Sequence, residues 1–458
     1  MRAFADRIAR GLAWILLRIF YRELEVSGGA RVPAQGPVLV VANHGNSLID
    51  PFLMVGFLPR MPRFLAKSTL FSNPGVAPFL WLGGVLPVYR RQDEVDTARN
   101  EETFERCFDE LAHGGVIALF PEGISHDEPR LQRLKTGAAR IALGAEAARG
   151  PLGLRIVPVG LTFEAKGTFR SRVLMQIGEP ITPPPPVGGS EEREAVRMLT
   201  DRIDAAIRAL TLDHPSWEQA RLVERAAEAF SARAREMPGR ETLAGLFGLR
   251  KSFAEAHERL RREAPERVER VEQMLVRYDA GLAQLGLRDD HLAAAYPWTK
   301  VALYVSDRLP VVVAVFPAAA LGTLLNWVPY RLAGVVASRV ERSPDLPATF
   351  KLMTSLVLFP LTWILEVALV GGALGFWPGV LMAVAAPVSG GFALLFHERH
   401  ESFWSELRAW AVLRLRRGRV AEVRARRRAL REEVSALLEE ATEVEKGATP
   451  GAVEPDLS

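Results

Sequence analysis

One cysteine in 458 residues leaves no partner for an intrachain disulfide, so the fold must rest on its core and its hydrogen bonds. Cys107 stands in EETFERCFDELAHGG beside Phe104, Phe108 and Leu111 at helical spacing, which points to packing rather than to a reactive thiol. No Gly-x-Ser-x-Gly run occurs, and without that elbow a serine hydrolase has no place for its nucleophile. His126 and Asp127 lack a convincing set of fellow ligands, so no metal site is expected. The net charge is only +4, and its arginines crowd residues 408 to 431 beside apolar runs. That arrangement favours anionic lipid headgroups as partner and argues against nucleic acid.

Charge is absent from Leu309 to Tyr330, and Leu352 to Phe396 carries only Glu366. A membrane helix needs about 20 apolar residues, so the chain reads as an integral membrane protein whose second stretch holds two spans. Gly371, Gly372, Gly375 and Pro378 supply the turn between them. Pro310, Pro317 and Pro329 weaken the first stretch as a straight helix and suggest a broken or re-entrant segment. Two crossings with a re-entrant first segment would keep the basic tail on the side of the N-terminal block, which the positive-inside rule places in the cytoplasm. The N-terminal run GLAWILLRIFY is interrupted by Arg18 and lacks a small-residue cleavage site, so it is not read as a cleavable leader. Ile8, Leu12, Ile15, Leu16 and Ile19 share a helical face, suited either to a membrane surface or to covering a core.

These shifts in pattern divide the chain. Residues 1–22 form the amphipathic helix and 23–190 an α/β block, with strands expected in PVLVVAN, GVIALFPEG, LRIVPVGLTF and RVLMQIGEP. The prolines of PPPPVGGS end that block. Residues 191–300 are helical and charged, a solvated spacer or cover; 301–398 are the membrane block; 399–446 are a basic helix facing solvent or headgroups; 447–458 read as a disordered tail.

The chemistry-bearing residues lie in the α/β block. In VLVVANHGNSLIDPFLM an apolar strand ends in a polar turn before a helix, which brings His44 and Asp50 to a strand's C-terminal edge. Histidine titrates near neutrality, and an adjacent carboxylate fixes its tautomer, so the pair suits general-base chemistry. Asp50 precedes Pro51, so its carboxylate also suits a helix cap.

Together with GVLPVYRR, FPEGISHDEPRLQRLKTGAARIAL and RIVPVGLTF, that segment resembles the four ordered motifs of the glycerolipid acyltransferase family, over residues 37 to 182. The resemblance implies that family's fold, a mixed sheet with flanking helices, here followed by a helical segment and a C-terminal helical membrane block. It implies His44 as general base on an acceptor hydroxyl, oriented by Asp50, with direct attack on an acyl thioester and no acyl-enzyme. Arg90 would meet the acceptor's phosphate; Asn46, Glu122, Gly123 and Ser125 would line the acceptor site; Pro158 would shape the acyl-donor region. The family's third motif continues Thr-Arg where Ile124 and Ser125 stand, and Lys135 is the candidate to replace the missing cation.

Five residues separate His44 from Asp50, where the family commonly has four. With EGISHDEP and LKTGAARIAL, this spacing resembles the branch of fungal-type glycerol-3-phosphate and dihydroxyacetone-phosphate acyltransferases. The resemblance implies glycerol-3-phosphate as acceptor with lysophosphatidic acid as alternative, acyl-CoA or acyl carrier protein as donor, no cofactor, and membrane lipids as partners. A different class, a non-catalytic lipid-binding membrane protein on the same fold, is the rival reading. A transporter reading is weaker, since Glu366 is the one clear ionisable group inside the spans.

Overall fold

The computed structural model describes residues 2–72, 77, 80, 83–89, 100–189, 191–231, 242–293, 298–339 and 346–448. The chain divides into two units, one of residues 1–216 with 332–357 and one of residues 217–331 with 358–458.

The first unit is built on strands β1 (Glu23–Ser27), β2 (Val38–Ala42), β3 (Arg63–Lys67), β4 (Leu86–Val88), β5 (Val116–Leu119), β6 (Arg155–Phe163) and β7 (Arg172–Ile177). They form one sheet in the order β1-β7-β6-β2-β5-β3-β4. Every pairing is parallel except β6 with β7, so the sheet is mixed, as expected. All five residues of β2 are buried, because helices cover both faces. Val38, Val40 and Ala42 pack with Leu17 and Phe20 of α1 (Arg2–Phe20) and with Ile49, Leu53 and Met54 of α2 (Ile49–Phe57). Leu39 and Val41 face the opposite layer, made by α3 (Asn100–Ala112), α4 (Gly137–Arg149) and α5 (Glu191–Ala209).

Cys107 lies in that second layer, fully buried, and burial pushes its thiol up to about 12. Helix α5 also belongs to it through Val196, Leu199, Ile203 and Ile207; the start of the charged region is therefore a cover on the sheet and not a spacer. Helix α1 does two things. Ala13, Leu17 and Phe20 are buried in the block, while Phe4, Ile8, Leu12, Ile15 and Ile19 remain exposed on another face.

Helix α6 (Trp217–Ser231), α7 (Leu243–Glu263), α8 (Pro265–Leu285) and the short α9 (Asp289–Ala293) open the second unit. Three helices long and apolar enough to cross a membrane follow: α10 (Trp298–Arg339), α11 (Pro347–Leu374) and α12 (Phe376–Leu415), with α13 (Arg417–Ala448) last. The broken first segment expected from its prolines is not found. Helix α10 runs continuously through Pro310, Pro317 and Pro329, since prolines seven or more residues apart each remove one donor without disturbing the same turn. Gly375, at φ 102°, is the one residue between α11 and α12, a conformation that favours glycine.

Within the second unit Asn326 ties three helices. Its Nδ2 donates to Ala386 O at 3.2 Å on α12, and its Oδ1 accepts from Trp363 Nε1 at 2.8 Å on α11. A Cβ added to Gly322 would fall 1.9 Å from Ser389 O, so α10 and α12 touch backbone to backbone. The basic C-terminal helix departs from expectation. Val420, Val423, Leu430 and Val434 of α13 are buried against Val223, Tyr278 and Leu282, so one face is core and only the other is solvated. The apolar positions were hidden among the arginines. The change of segment expected at residue 399 falls inside α12.

Candidate active site

Because β2, β5 and β6 lie side by side and parallel, the loops after their C-terminal ends converge, the usual place for a site in such sheets. After β2 the side chain of Asn43 bonds both ways to the backbone of Leu161 on β6, at 3.0 and 2.7 Å. His44 follows, its ring stacked on Phe120 at 4.0 Å. His44 Nδ1 lies 2.9 Å from Asp50 Oδ2. A carboxylate only accepts, so Nδ1 carries the proton and Nε2 is left as the basic nitrogen. No described residue bonds Nε2, and the side chain is 18% exposed while that of Asp50 is fully buried.

The five-residue interval closes because Ser47 adopts φ 43° and Ile49 N–H donates to Asn46 O at 2.9 Å. Asp50 is not the cap of α2. The helix starts at Ile49 with Leu48 at the cap position, and Asp50 Oδ2 instead takes Asn46 N–H at 2.8 Å as well as His44.

Three further amides of this loop are held by side chains from elsewhere in the chain. His44 N–H donates to Glu122 Oε1 at 2.7 Å and Ser47 N–H to Ser125 Oγ at 3.0 Å. Leu48 N–H donates to Thr349 Oγ1 at 3.2 Å. Glu122, fully buried, also takes His126 Nε2 at 2.5 Å and Gln132 N–H at 2.8 Å on Oε2. His126 N–H returns to His44 O at 3.2 Å.

Two lysines flank the pair. A Cβ on Gly123 (φ 72°) would fall 2.6 Å from Lys135 Nζ, and one on Gly45 would fall 3.2 Å from Lys166 Nζ. Lys166 also pairs with Asp127 at 2.7 Å. Beneath the loop, Asn46 Nδ2 reaches Tyr21 Oη and Lys166 O, each at 3.3 Å. Burial first, then the charge of Asp50, pushes the Tyr21 phenol above its ordinary range, so it stays protonated.

His44, Asn46, Asp50, Glu122, Gly123, Ser125 and Lys135 are thus one neighbourhood. Pro158 stands apart: it is opposite Val41 inside the sheet, with its ring toward Gly178. Arg90 lies outside the described residues. Tyr21, Lys166, His126 as a partner of Glu122, and Thr349 were missed. EGISHD held a signal for His126, placed four residues after Glu122; nothing in the sequence pointed to Thr349.

A buried carboxylate thus orients a largely buried imidazole, over a sheet whose C-terminal loops carry Glu-Gly and lysine. Residues 23–162 match the family model described as Acyltransferase. Over 473 aligned residues it is 27% identical to "Glycerol-3-phosphate O-acyltransferase 2" of Saccharomyces cerevisiae, covering 76% of this chain and 63% of that protein. Over 164 residues it is 28% identical to "1-acyl-sn-glycerol-3-phosphate acyltransferase LPAT1, chloroplastic" of Arabidopsis thaliana, covering 35% of this chain and 44% of that one. The crystal structure of the 1-acyl-sn-glycerophosphate acyltransferase PlsC from Thermotoga maritima aligns with TM-score 0.34 and 22% identity, over 46% of this chain and 81% of that chain. The chain therefore spans about 63% of the length of its yeast relative.

Proposed function

We propose that this chain is a membrane-bound O-acyltransferase that moves a fatty acyl group from an acyl thioester, acyl-CoA or acyl carrier protein, onto glycerol-3-phosphate. The observation that carries the reading is the 2.9 Å contact from His44 Nδ1 to buried Asp50, which leaves Nε2 open. His44 Nε2 takes the proton of the acceptor hydroxyl as the oxygen attacks the thioester carbonyl. The tetrahedral adduct collapses, the C–S bond breaks, and the thiolate recovers a proton from His44. Asp50 holds the imidazolium formed in between, and no acyl-enzyme intervenes. A base so placed contributes on the order of a hundredfold to ten-thousandfold.

Lys135, exposed beside Gly123, supplies positive charge where the acceptor's phosphate would lie, with Arg90 as a second phosphate ligand and Asn46, Glu122 and Ser125 shaping the pocket. Pro158 acts from within the sheet on the donor side. Glycerol-3-phosphate is preferred to lysophosphatidic acid because likeness to the yeast protein covers 76% of this chain, while likeness to the Arabidopsis protein covers 35%.

The catalytic unit sits on the cytoplasmic face of the cell membrane in this reading. The packing of α13 on α6 and α8 supports an even number of crossings, because segments before α10 and after α12 share one core; α11 and α12 would supply two, and α10, though long enough to span, would not cross.

The test is an acyl-transfer assay with one labelled thioester donor and glycerol-3-phosphate, dihydroxyacetone phosphate and lysophosphatidic acid in parallel. His44→Ala should abolish transfer in a protein that still inserts. Substantial transfer by that variant sinks the assigned base, and lipid binding by wild type without thioester consumption favours the non-catalytic reading.

A further inference from the structure

The residues that hold the loop between His44 and Asp50 come from within or beside the acyltransferase region, with one exception. Thr349, some 300 residues further along the chain, is buried and accepts Leu48 N–H at 3.2 Å. It belongs to the first turn of α11, which continues as a helix long enough to cross a membrane. Ala348 and Leu352 on either side are buried in the same core as Val40, Ile49 and Leu53. Two residues on, Lys351 Nζ donates to Gly167 O at 2.7 Å. Gly167 follows Lys166, whose carbonyl receives Asn46 Nδ2 and whose ammonium lies over Gly45. A Cβ on Gly167 would come within 3.3 Å of Pro347. The start of α11 therefore grips two loops that build the site, one carrying His44 and Asp50 and one carrying Lys166.

We infer that Thr349 and Lys351 are positioning residues for catalysis: α11 sets the backbone on which His44 and Asp50 meet, through the Leu48 amide and the Gly167 carbonyl. The physical reason lies in Ser47. Its positive φ is a sparsely populated conformation for a residue with a side chain, and it persists only where the surroundings over-determine it. Bonds on the Ser47 and Leu48 amides do this, one from Ser125 and one from Thr349. Without the Thr349 acceptor, Leu48 N–H is left without its partner and the turn that aims Asp50 at Nδ1 loosens. A reacting geometry is sensitive to displacements of this kind.

The inference rests on the acyl-transfer reading, so its test carries a second readout that does not. Thr349→Val, which keeps the shape and removes the acceptor, and Thr349→Ser, which keeps the acceptor, are made in the full-length chain and assayed in membranes. Thr349→Val should lower kcat about tenfold at little changed KM, while Thr349→Ser stays within about twofold of wild type. In parallel, the His44-dependent rate of diethyl pyrocarbonate modification, taken as the difference from His44→Ala, should change about threefold or more in Thr349→Val and not in Thr349→Ser. Wild-type kcat and wild-type modification in Thr349→Val overturn the inference, and so does an equal loss in Thr349→Ser. If wild type transfers no acyl group to any acceptor, the acyl-transfer reading falls and the modification rates alone decide. If Thr349→Val does not accumulate, Lys351→Met takes its place. A wild-type kcat and modification rate in that variant then overturn the inference.

Discussion

Replacing Glu122 by Gln tests how far the site depends on a single buried carboxylate. Its Oε1 takes the His44 amide at 2.7 Å, and its Oε2 takes His126 Nε2 at 2.5 Å and the Gln132 amide at 2.8 Å. An amide of the same size has one oxygen. If that oxygen faces His44, the new NH2 confronts two donors; if it faces His126 and Gln132, the His44 amide is stranded. His126 cannot absorb the conflict by changing tautomer without a new one, because its Nδ1 already accepts Glu128 N–H at 3.1 Å. One or two buried donors go unsatisfied, at about 1–3 kcal/mol each. The stability of the first unit should fall by about 1–6 kcal/mol. The displaced His44 backbone should cost about tenfold to a hundredfold in kcat, with a smaller change in KM. Steady-state kinetics on the full-length protein in detergent, paired with its thermal unfolding, measures both. A Glu122→Gln variant with wild-type kcat and an unchanged unfolding midpoint refutes the claim that this carboxylate organises the site.

Asn326→Leu removes two bonds between membrane-length helices and should destabilise the second unit by about 1–2 kcal/mol, read from detergent-induced unfolding. Single cysteines at Gly248 and Gly418, in a chain whose own Cys107 is buried, should react with an impermeant maleimide from the same side of sealed vesicles; labelling from opposite sides rules out an even number of crossings. Burial holds His291 below the usual histidine range. The unfolded chain therefore takes up a proton that the folded chain resists, and stability present above about pH 6.5 should be lost as pH falls below it. His291→Gln should flatten that slope in a melting series from about pH 7.5 to about pH 5.5.

Much of the sheet was legible because β2, β5, β6 and β7 are runs of apolar residues bounded by turns. The three strands not foreseen are short or mixed: ELEVS alternates charge, RFLAK carries a basic residue at each end, and LPV is three residues long. His44 and Asp50 could be paired from spacing and chemistry, yet spacing alone left the helix-cap role of Asp50 open. What decided it was Ser47, whose backbone angle no residue pattern announces. Thr349 illustrates the other limit. Its contact with Leu48 spans 301 positions, and a threonine opening an apolar helix reads as an ordinary helix start until the fold brings it beside the loop. The core face of α13 was obscured differently, by counting arginines where four aliphatic residues decided the packing.

The left-handed turn at Ser47 also limits which residues can stand at that position of this chain. Of the five residues between His44 and Asp50, the third takes the positive φ. In this chain glycine, asparagine or aspartate would suit position 47 as well as serine does, while valine, isoleucine or threonine would be strained there. A β-branched residue at position 47 would keep both chemical groups but strain the turn that brings them together.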